Sequence, residues 1–163
     1  MEAAEYFKDA SAEPGATGTV EAVCVSVEKG TRKEARESVE LVVGSGIAGD
    51  AHAGRWHRQV SLLGAESVDL MRDKGLPLEA GDFAENILTR GILLNQLPVG
   101  TVLEVGPALL AVTQIGKKCH NDCEIKRVTG MCVMPTDGIF TVVLRGGTVR
   151  AGDAVRVVPV GDL

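Results

Sequence analysis

The stretch Val99-Gly100-Thr101-Val102-Leu103-Glu104-Val105-Gly106-Pro107-Ala108-Leu109-Leu110-Ala111-Val112-Thr113-Gln114-Ile115 sets the architecture. Its two apolar runs, 101–105 and 109–115, are too short for ordinary helices, and the first is bounded on both sides by glycine-bearing turns. The same rhythm continues in both directions. Runs at 86–89 and 92–97 precede it, and runs at 139–144 and 154–159 follow, with Gly146-Gly147 and Gly152-Asp153 read as turns. Nearer the start, a β-branched run from Val20 to Val27 stops at Lys29-Gly30, and two more lie at 39–43 and 59–63. One helix is expected over 65–74, where Val68, Leu70 and Met71 form an apolar stripe and Gly75 and Pro77 end it. Many short strands at this spacing predict a mainly β fold: a closed or nearly closed barrel of short, mostly antiparallel strands with one or two short helices.

The chain has 163 residues, enough for one domain with a sizeable core. Residues 1–17 show no sustained apolar period and are expected to be a flexible leader, followed by the barrel domain over 18–160. With 17 basic and 22 acidic residues the formal charge is −5, which lacks the basic footprint of a nucleic-acid binder. No apolar run reaches a membrane span, and the acidic opening Met1-Glu2-Ala3-Ala4-Glu5 is unlike a secretory signal. The expected location is the cytoplasm, with neither membrane nor nucleic acid as partner. In that compartment four cysteines suggest thiols, metal ligands or buried small hydrophobes rather than a disulfide framework. Cys24, inside a strand-like run, is read as buried.

Gly44-Ser45-Gly46-Ile47-Ala48-Gly49 matches the G-x-G-x-x-G pattern of dinucleotide sites, but no long helix follows to align a dipole with a pyrophosphate. It is read as a plain glycine-rich loop. The next eleven residues, 49–59, carry two of the three histidines (His52, His57), Arg55, Arg58 and the single tryptophan, Trp56. Arginine forks and imidazoles suit phosphate or carboxylate, and the indole offers a face for a flat ring. The alternative is a solvated loop in which Asp50 caps a turn and Trp56 covers the edge of the core.

The densest chemistry lies in Gly116-Lys117-Lys118-Cys119-His120-Asn121-Asp122-Cys123-Glu124-Ile125-Lys126-Arg127, followed by Cys132. Nearby positive charge stabilises the thiolate, the reactive form of cysteine, so the segment reads as one for sulfur chemistry. A structural zinc–thiolate site built on Cys119, His120, Cys123 and Cys132 competes with that reading, although the spacing is not that of a paired knuckle.

At these residues the sequence resembles the MOSC domain family, named after the C-terminal domain of molybdenum cofactor sulfurases, and in particular its short stand-alone members. The resemblance runs from about Gly18 to Pro159 and rests on several motifs in order: residues 49–54, 57–63, Gly81-Asp82-Phe83-Ala84-Glu85-Asn86, Thr113-Gln114-Ile115-Gly116-Lys117 and Met134-Pro135-Thr136-Asp137-Gly138-Ile139-Phe140. It implies a β-barrel and either sulfur carriage or molybdenum–pterin handling centred on one cysteine. Cys123-Glu124-Ile125 fits the family's cysteine pattern, so the resemblance assigns Cys123 the sulfur-accepting role and makes it a candidate molybdenum ligand. Cys119 would be its partner, and Lys117, Lys118 and His120 would tune the thiolate. His52, Arg55, His57 and Arg58 would hold an anionic acceptor such as the phosphate of molybdopterin, with Asn86 and the Gly81-Asp82 turn shaping the cleft. The expected partners are a persulfide donor protein of the cysteine desulfurase type and a molybdopterin or metal–sulfur acceptor, in a step independent of pyridoxal phosphate. A molybdenum–pterin binding module without sulfur transfer is the alternative the resemblance also allows. Relatives that bind the pterin often work beside an additional N-terminal barrel, for which this length leaves no room.

Overall fold

The computed structural model describes residues 6–116 and 137–162. Eleven strands fall among them: β1 (Thr17–Val25), β2 (Glu34–Arg36), β3 (Ser38–Val42), β4 (Gly46–Ile47), β5 (Val60–Gly64), β6 (Ile87–Arg90), β7 (Val102–Val105), β8 (Ala108–Ile115), β9 (Ile139–Arg145), β10 (Gly147–Arg150) and β11 (Ala154–Val157). The one complete helix among the described residues is α1 (Ala65–Arg72), and two short 3-10 turns lie at Leu94–Gln96 and Val160–Asp162.

Seven strands close into a barrel in the order β11-β7-β8-β9-β5-β6-β1, with β1 returning to β11 through the register Thr17↔Arg156 to Thr19↔Ala154. Closure removes the open edges that would otherwise template association. The barrel is antiparallel except at β5 and β6, which run parallel with Leu62 opposite Ile87. A parallel pair needs a long crossover, supplied here by α1 and residues 73–86. Strand β5 is therefore covered on both faces, and all five of its residues are buried. Val60 and Leu62 join the barrel interior, while Leu63 packs with Val68, Met71, Phe83, Leu88 and Phe140 beneath the helix.

A second sheet, β10-β3-β4, places Val39, Leu41, Ile47 and Val149 in the same core as the barrel interior. Its β3–β4 hairpin contains the glycine-rich pattern: Gly46 pairs back onto Val42, and no helix follows Gly49. The dinucleotide geometry is absent there. Gly46 has φ +126°, and a Cβ on it would lie 2.7 Å from the Gln59 carbonyl oxygen, so close approach explains this glycine.

Two expected elements are corrected. The run at 92–97 is not a strand: it turns through Leu94–Gln96 and buries Ile92, Leu94 and Leu97, a spacing that fits neither period. Gly146-Gly147 is not a turn between strands; Gly147 opens β10 and pairs with Leu41. A Cβ on Gly146 would meet the Leu41 carbonyl oxygen at 2.5 Å. The helix ends at Arg72, with residues 73–75 continuing as turn. Part of the stretch expected as a leader is bonded to the barrel, since Ser11 donates its N–H to Gly91 (3.1 Å) and Gly15 donates to Val157 (2.8 Å). No helix among the described residues is long and apolar enough to cross a membrane.

Candidate functional site

Residues 48–59 join the small sheet to β5 and carry His52, Arg55, Trp56, His57 and Arg58. The loop is anchored at its start by Asp50. One Asp50 oxygen accepts the Ser26 N–H (3.1 Å) and the other accepts the His52 N–H (3.1 Å), so the turn-capping role read from the sequence is present. The same carboxylate also binds Lys33 Nζ at 2.8 Å, and neither side chain has any solvent exposure. Burial pushes the Asp50 carboxyl up, but the Lys33 ammonium and the two backbone N–H groups outweigh it and hold the group below the ordinary carboxylate range. Burial lowers the Lys33 ammonium from its usual value, with Asp50 opposing it.

Lys33 Nζ also reaches Ser26 Oγ (3.1 Å) and His52 Nδ1 (3.0 Å). The His52 ring lies parallel to Trp56 at 6.3 Å, and Trp56 Nε1 donates to the His52 carbonyl oxygen at 2.7 Å. The indole is further engaged by Lys29 Nζ, 5.1 Å from its centre, and by the Arg58 guanidinium at 6.0 Å. Trp56 thus packs the imidazole and two cations together at a ring that is 36% exposed.

The other half of the site comes from β8. Its ladder to β9 shifts register between Val112 and Gln114, and such a bulge re-aims the side chains that follow. Gln114 Oε1 accepts from Arg58 Nε (3.1 Å) and lies 2.8 Å from His57 Nε2, while Gln114 Nε2 donates to the Gly116 carbonyl oxygen (2.7 Å). Thr113 Oγ1 lies within hydrogen-bond reach of the His57 carbonyl oxygen and 3.1 Å from that of Phe140, and Arg58 also stacks on the Phe140 ring at 5.1 Å. Strands β8 and β9 then meet at Ile115↔Ile139, and Gly116 donates its N–H to Gly138 (2.7 Å). The two described ends of the β8–β9 connection therefore stand side by side, next to His57, Arg58 and Gln114.

His52, His57 and Arg58 are gathered around Trp56, and Arg55 lies exposed on the same loop. Asn86 does not join them. It is fully buried in the barrel wall, where Oδ1 accepts the Ser61 N–H (3.0 Å) and Nδ2 donates to the Cys24 carbonyl oxygen (3.1 Å). Gly81 braces the site from behind, accepting the Lys33 N–H at 2.8 Å. Lys117, Lys118, Cys119, His120, Cys123 and Cys132 lie outside the described residues. Cys24 is buried as expected, and desolvation, followed by the nearby Glu85 charge, pushes its thiol up to about 12. Among the described residues no group of three His, Cys, Asp or Glu side chains is placed to hold a metal ion. A cleft of about 520 Å³ is lined by Arg32, Lys33, Glu34, Glu79 and Asp82, among others; of the residues singled out in the sequence it holds Asp82 but neither His52, His57, Arg55, Arg58 nor Asn86.

Sequence reading missed Lys33 and Gln114 as contributors. Lys33 follows the Lys29-Gly30 turn signal in a charged stretch that reads as solvated surface, and nothing local marks its burial. Gln114 lies one residue before the end of β8, whose bulge is invisible in the alternation of residues 108–115.

Among curated proteins none matches the sequence. Solved structures that share the fold include the YUAD protein from Bacillus subtilis, at 20% identity and TM-score 0.70, covering 86% of this chain and 95% of that one. YiiM from Geobacillus stearothermophilus superposes at 19% identity and TM-score 0.61 over 90% of this chain and 76% of its own. YiiM from Escherichia coli gives 18% identity and TM-score 0.62, covering 87% and 69%. The MOSC domain family matches residues 49–156, a span that holds the loop of imidazoles and guanidinium groups, the bulged strand β8 and most of the barrel. The chain belongs to the MOSC domain family.

Proposed function

We propose that the chain is a sulfur-carrier domain of the sulfurtransferase type, accepting persulfide sulfur on Cys123 and delivering it in molybdenum cofactor or related metal–sulfur metabolism. One observation carries the reading. The connection that contains Cys119, His120 and Cys123 springs from a stem, Gly116 to Gly138, tied through Gln114 to His57 and Arg58. Membership of a family named for molybdenum cofactor sulfurases supports the sulfur chemistry.

In the proposed step the Cys123 thiolate attacks the outer sulfur of a donor persulfide. A bond forms between Cys123 Sγ and that sulfur, the donor's S–S bond breaks, and the donor leaves as a thiolate, with no net oxidation. Lys117, Lys118 and His120 are proposed to favour the thiolate. A cysteine desulfurase of persulfide type would be the donor. His52, Arg55, His57 and Arg58 would bind the anionic acceptor by charge-assisted hydrogen bonds. The described side chains fit the phosphate end of molybdopterin: they are guanidinium, imidazole and amide donors. Cys123 is the proposed molybdenum ligand; among the described residues no group of three His, Cys, Asp or Glu side chains is placed to hold a metal ion. When bound, such a cofactor would present molybdenum as a sulfur acceptor.

Incubating the protein with a persulfide donor should add about 32 Da, one sulfur, and Cys123→Ser should abolish the adduct while Cys119→Ser retains it. An adduct of equal rate in Cys123→Ser would assign the sulfur elsewhere. Molybdenum and pterin released from freshly purified protein, with no adduct, would identify a cofactor-binding module instead. A melting temperature that collapses in chelator would identify structural zinc.

A further inference from the structure

Two buried side-chain oxygens among the described residues have no hydrogen-bond partner in the protein, Glu66 Oε1 and Thr89 Oγ1. Glu66 is 4% exposed and Thr89 is wholly buried. Left so, each would cost the fold the desolvation of a polar group with nothing in return, which native interiors rarely tolerate.

The register of the one parallel pair brings them to the same place. Gly64, the last residue of β5, lies opposite Thr89 on β6. Leu62 and Ile87 turn into the barrel core, and Leu63 and Leu88 pack beneath α1. Alternation therefore turns Thr89, and the position a side chain would take at Gly64, toward the barrel side. Glu66 arrives there from the first turn of α1. Its Oε2 accepts the Gly91 N–H at 2.8 Å, one residue past the end of β6. Its Oε1 faces Gly64: a Cβ on that glycine would lie 3.2 Å from it, and apart from the chain neighbours no other heavy atom would come within 4 Å. Gly64 has φ −75° and ψ 133°, extended backbone open to any residue, so the glycine provides room rather than conformational freedom.

The chemistry of the two atoms selects the occupant. A hard cation asks for about six oxygen ligands, and among the described residues no group of three His, Cys, Asp or Glu side chains is placed to hold a metal ion. An apolar ligand would leave both oxygens as they are. Water answers both: it can donate to Glu66 Oε1, and it and the Thr89 hydroxyl can each donate or accept. We propose that the seam between β5 and β6 is a binding site for one structural water, which bridges Glu66 Oε1 and Thr89 Oγ1 in the room left by Gly64. The water ties the start of α1 to the two strands that this helix connects. The site belongs to the frame of the barrel and is independent of the sulfur-carrier reading.

A high-resolution crystal structure of the full chain tests it directly. One water should stand within hydrogen-bond distance of both Glu66 Oε1 and Thr89 Oγ1, and Thr89→Ser should keep it while Thr89→Val loses it. Urea denaturation adds a test by sign. Valine has nearly the shape of threonine and suits a strand. Were Thr89 Oγ1 unbonded, Thr89→Val would exchange an unpaired buried hydroxyl for a methyl group and raise the urea midpoint. With the water in place the same change strips it of a partner, and the midpoint should fall. Wild-type density that shows an ion, or no water, between the two atoms overturns the proposal whether or not the variants fold. A Thr89→Val midpoint at or above that of the wild type overturns it as well.

Discussion

Glu85 lies in the barrel wall, and its burial ties the stability of the fold to pH. Its side chain is fully buried, with the two oxygens accepting N–H groups from Gly81 (2.7 Å) and Phe83 (3.1 Å). Burial pushes the carboxyl up to about 7, against the pull of those N–H groups. An acid whose folded value is raised stabilises the fold below its unfolded pKa, and the benefit is lost as pH climbs through the folded value. The loss between about pH 4.5 and about pH 7 is on the order of 3 kcal/mol. Asp50 is shifted the other way, so its contribution is complete above the unfolded carboxylate value and fails only at more acid pH. Urea denaturation should therefore show greater stability near pH 5 than near pH 8, and Glu85→Gln should flatten the difference. Cys24 gives a second check at this scale. A buried thiol pushed up to about 12 should escape iodoacetamide in the folded protein at pH 8 and be alkylated once denaturant is added.

The crossover from β5 through α1 to β6 shows what patterning reveals and what it conceals. Strand β5 and the helix were legible because a continuous apolar run and a helical stripe are distinct signals, each closed by glycine. The strands β7 and β8 were legible for the same reason, with Gly106-Pro107 marking the turn between them. Strands β2 and β4 were not: one is wholly exposed and charged, the other only two residues long. The candidate site was legible as a list of cations and imidazoles, since those residue types cluster in sequence. Its wiring was not, because Lys33 and Gln114 arrive from β1–β2 and β8, and long-range pairing leaves no local trace. The resemblance set Asn86 in the cleft, and its contacts in the barrel wall are structural. It joins Ser61 on β5 to the Cys24 carbonyl on β1, so Asn86→Ala should orphan buried groups and cost about 2 to 3 kcal/mol in chemical denaturation.

At the scale of the molecule, one core runs through the barrel and the small sheet, and the Lys33–Asp50 pair is set into its wall beneath the loop of imidazoles. Removing one member of such a pair strands a buried charge. Asp50→Ala should lower stability by about 3 to 5 kcal/mol, whereas Lys33→Met with Asp50→Asn should lose much less, a contrast that a thermal or urea series will measure. The ladder between β8 and β9 closes at Ile115↔Ile139 and the Gly116–Gly138 bond, so the two strands are paired up to either end of the 21 residues between Gly116 and Gly138. Lengthening a connection between two fixed strand ends is thermodynamically gentle, about 0.6 kcal/mol for each doubling. The Gly116–Gly138 clasp can consequently behave as a socket: a sequence of another length, bearing different reactive groups, can be joined between the same two strand ends.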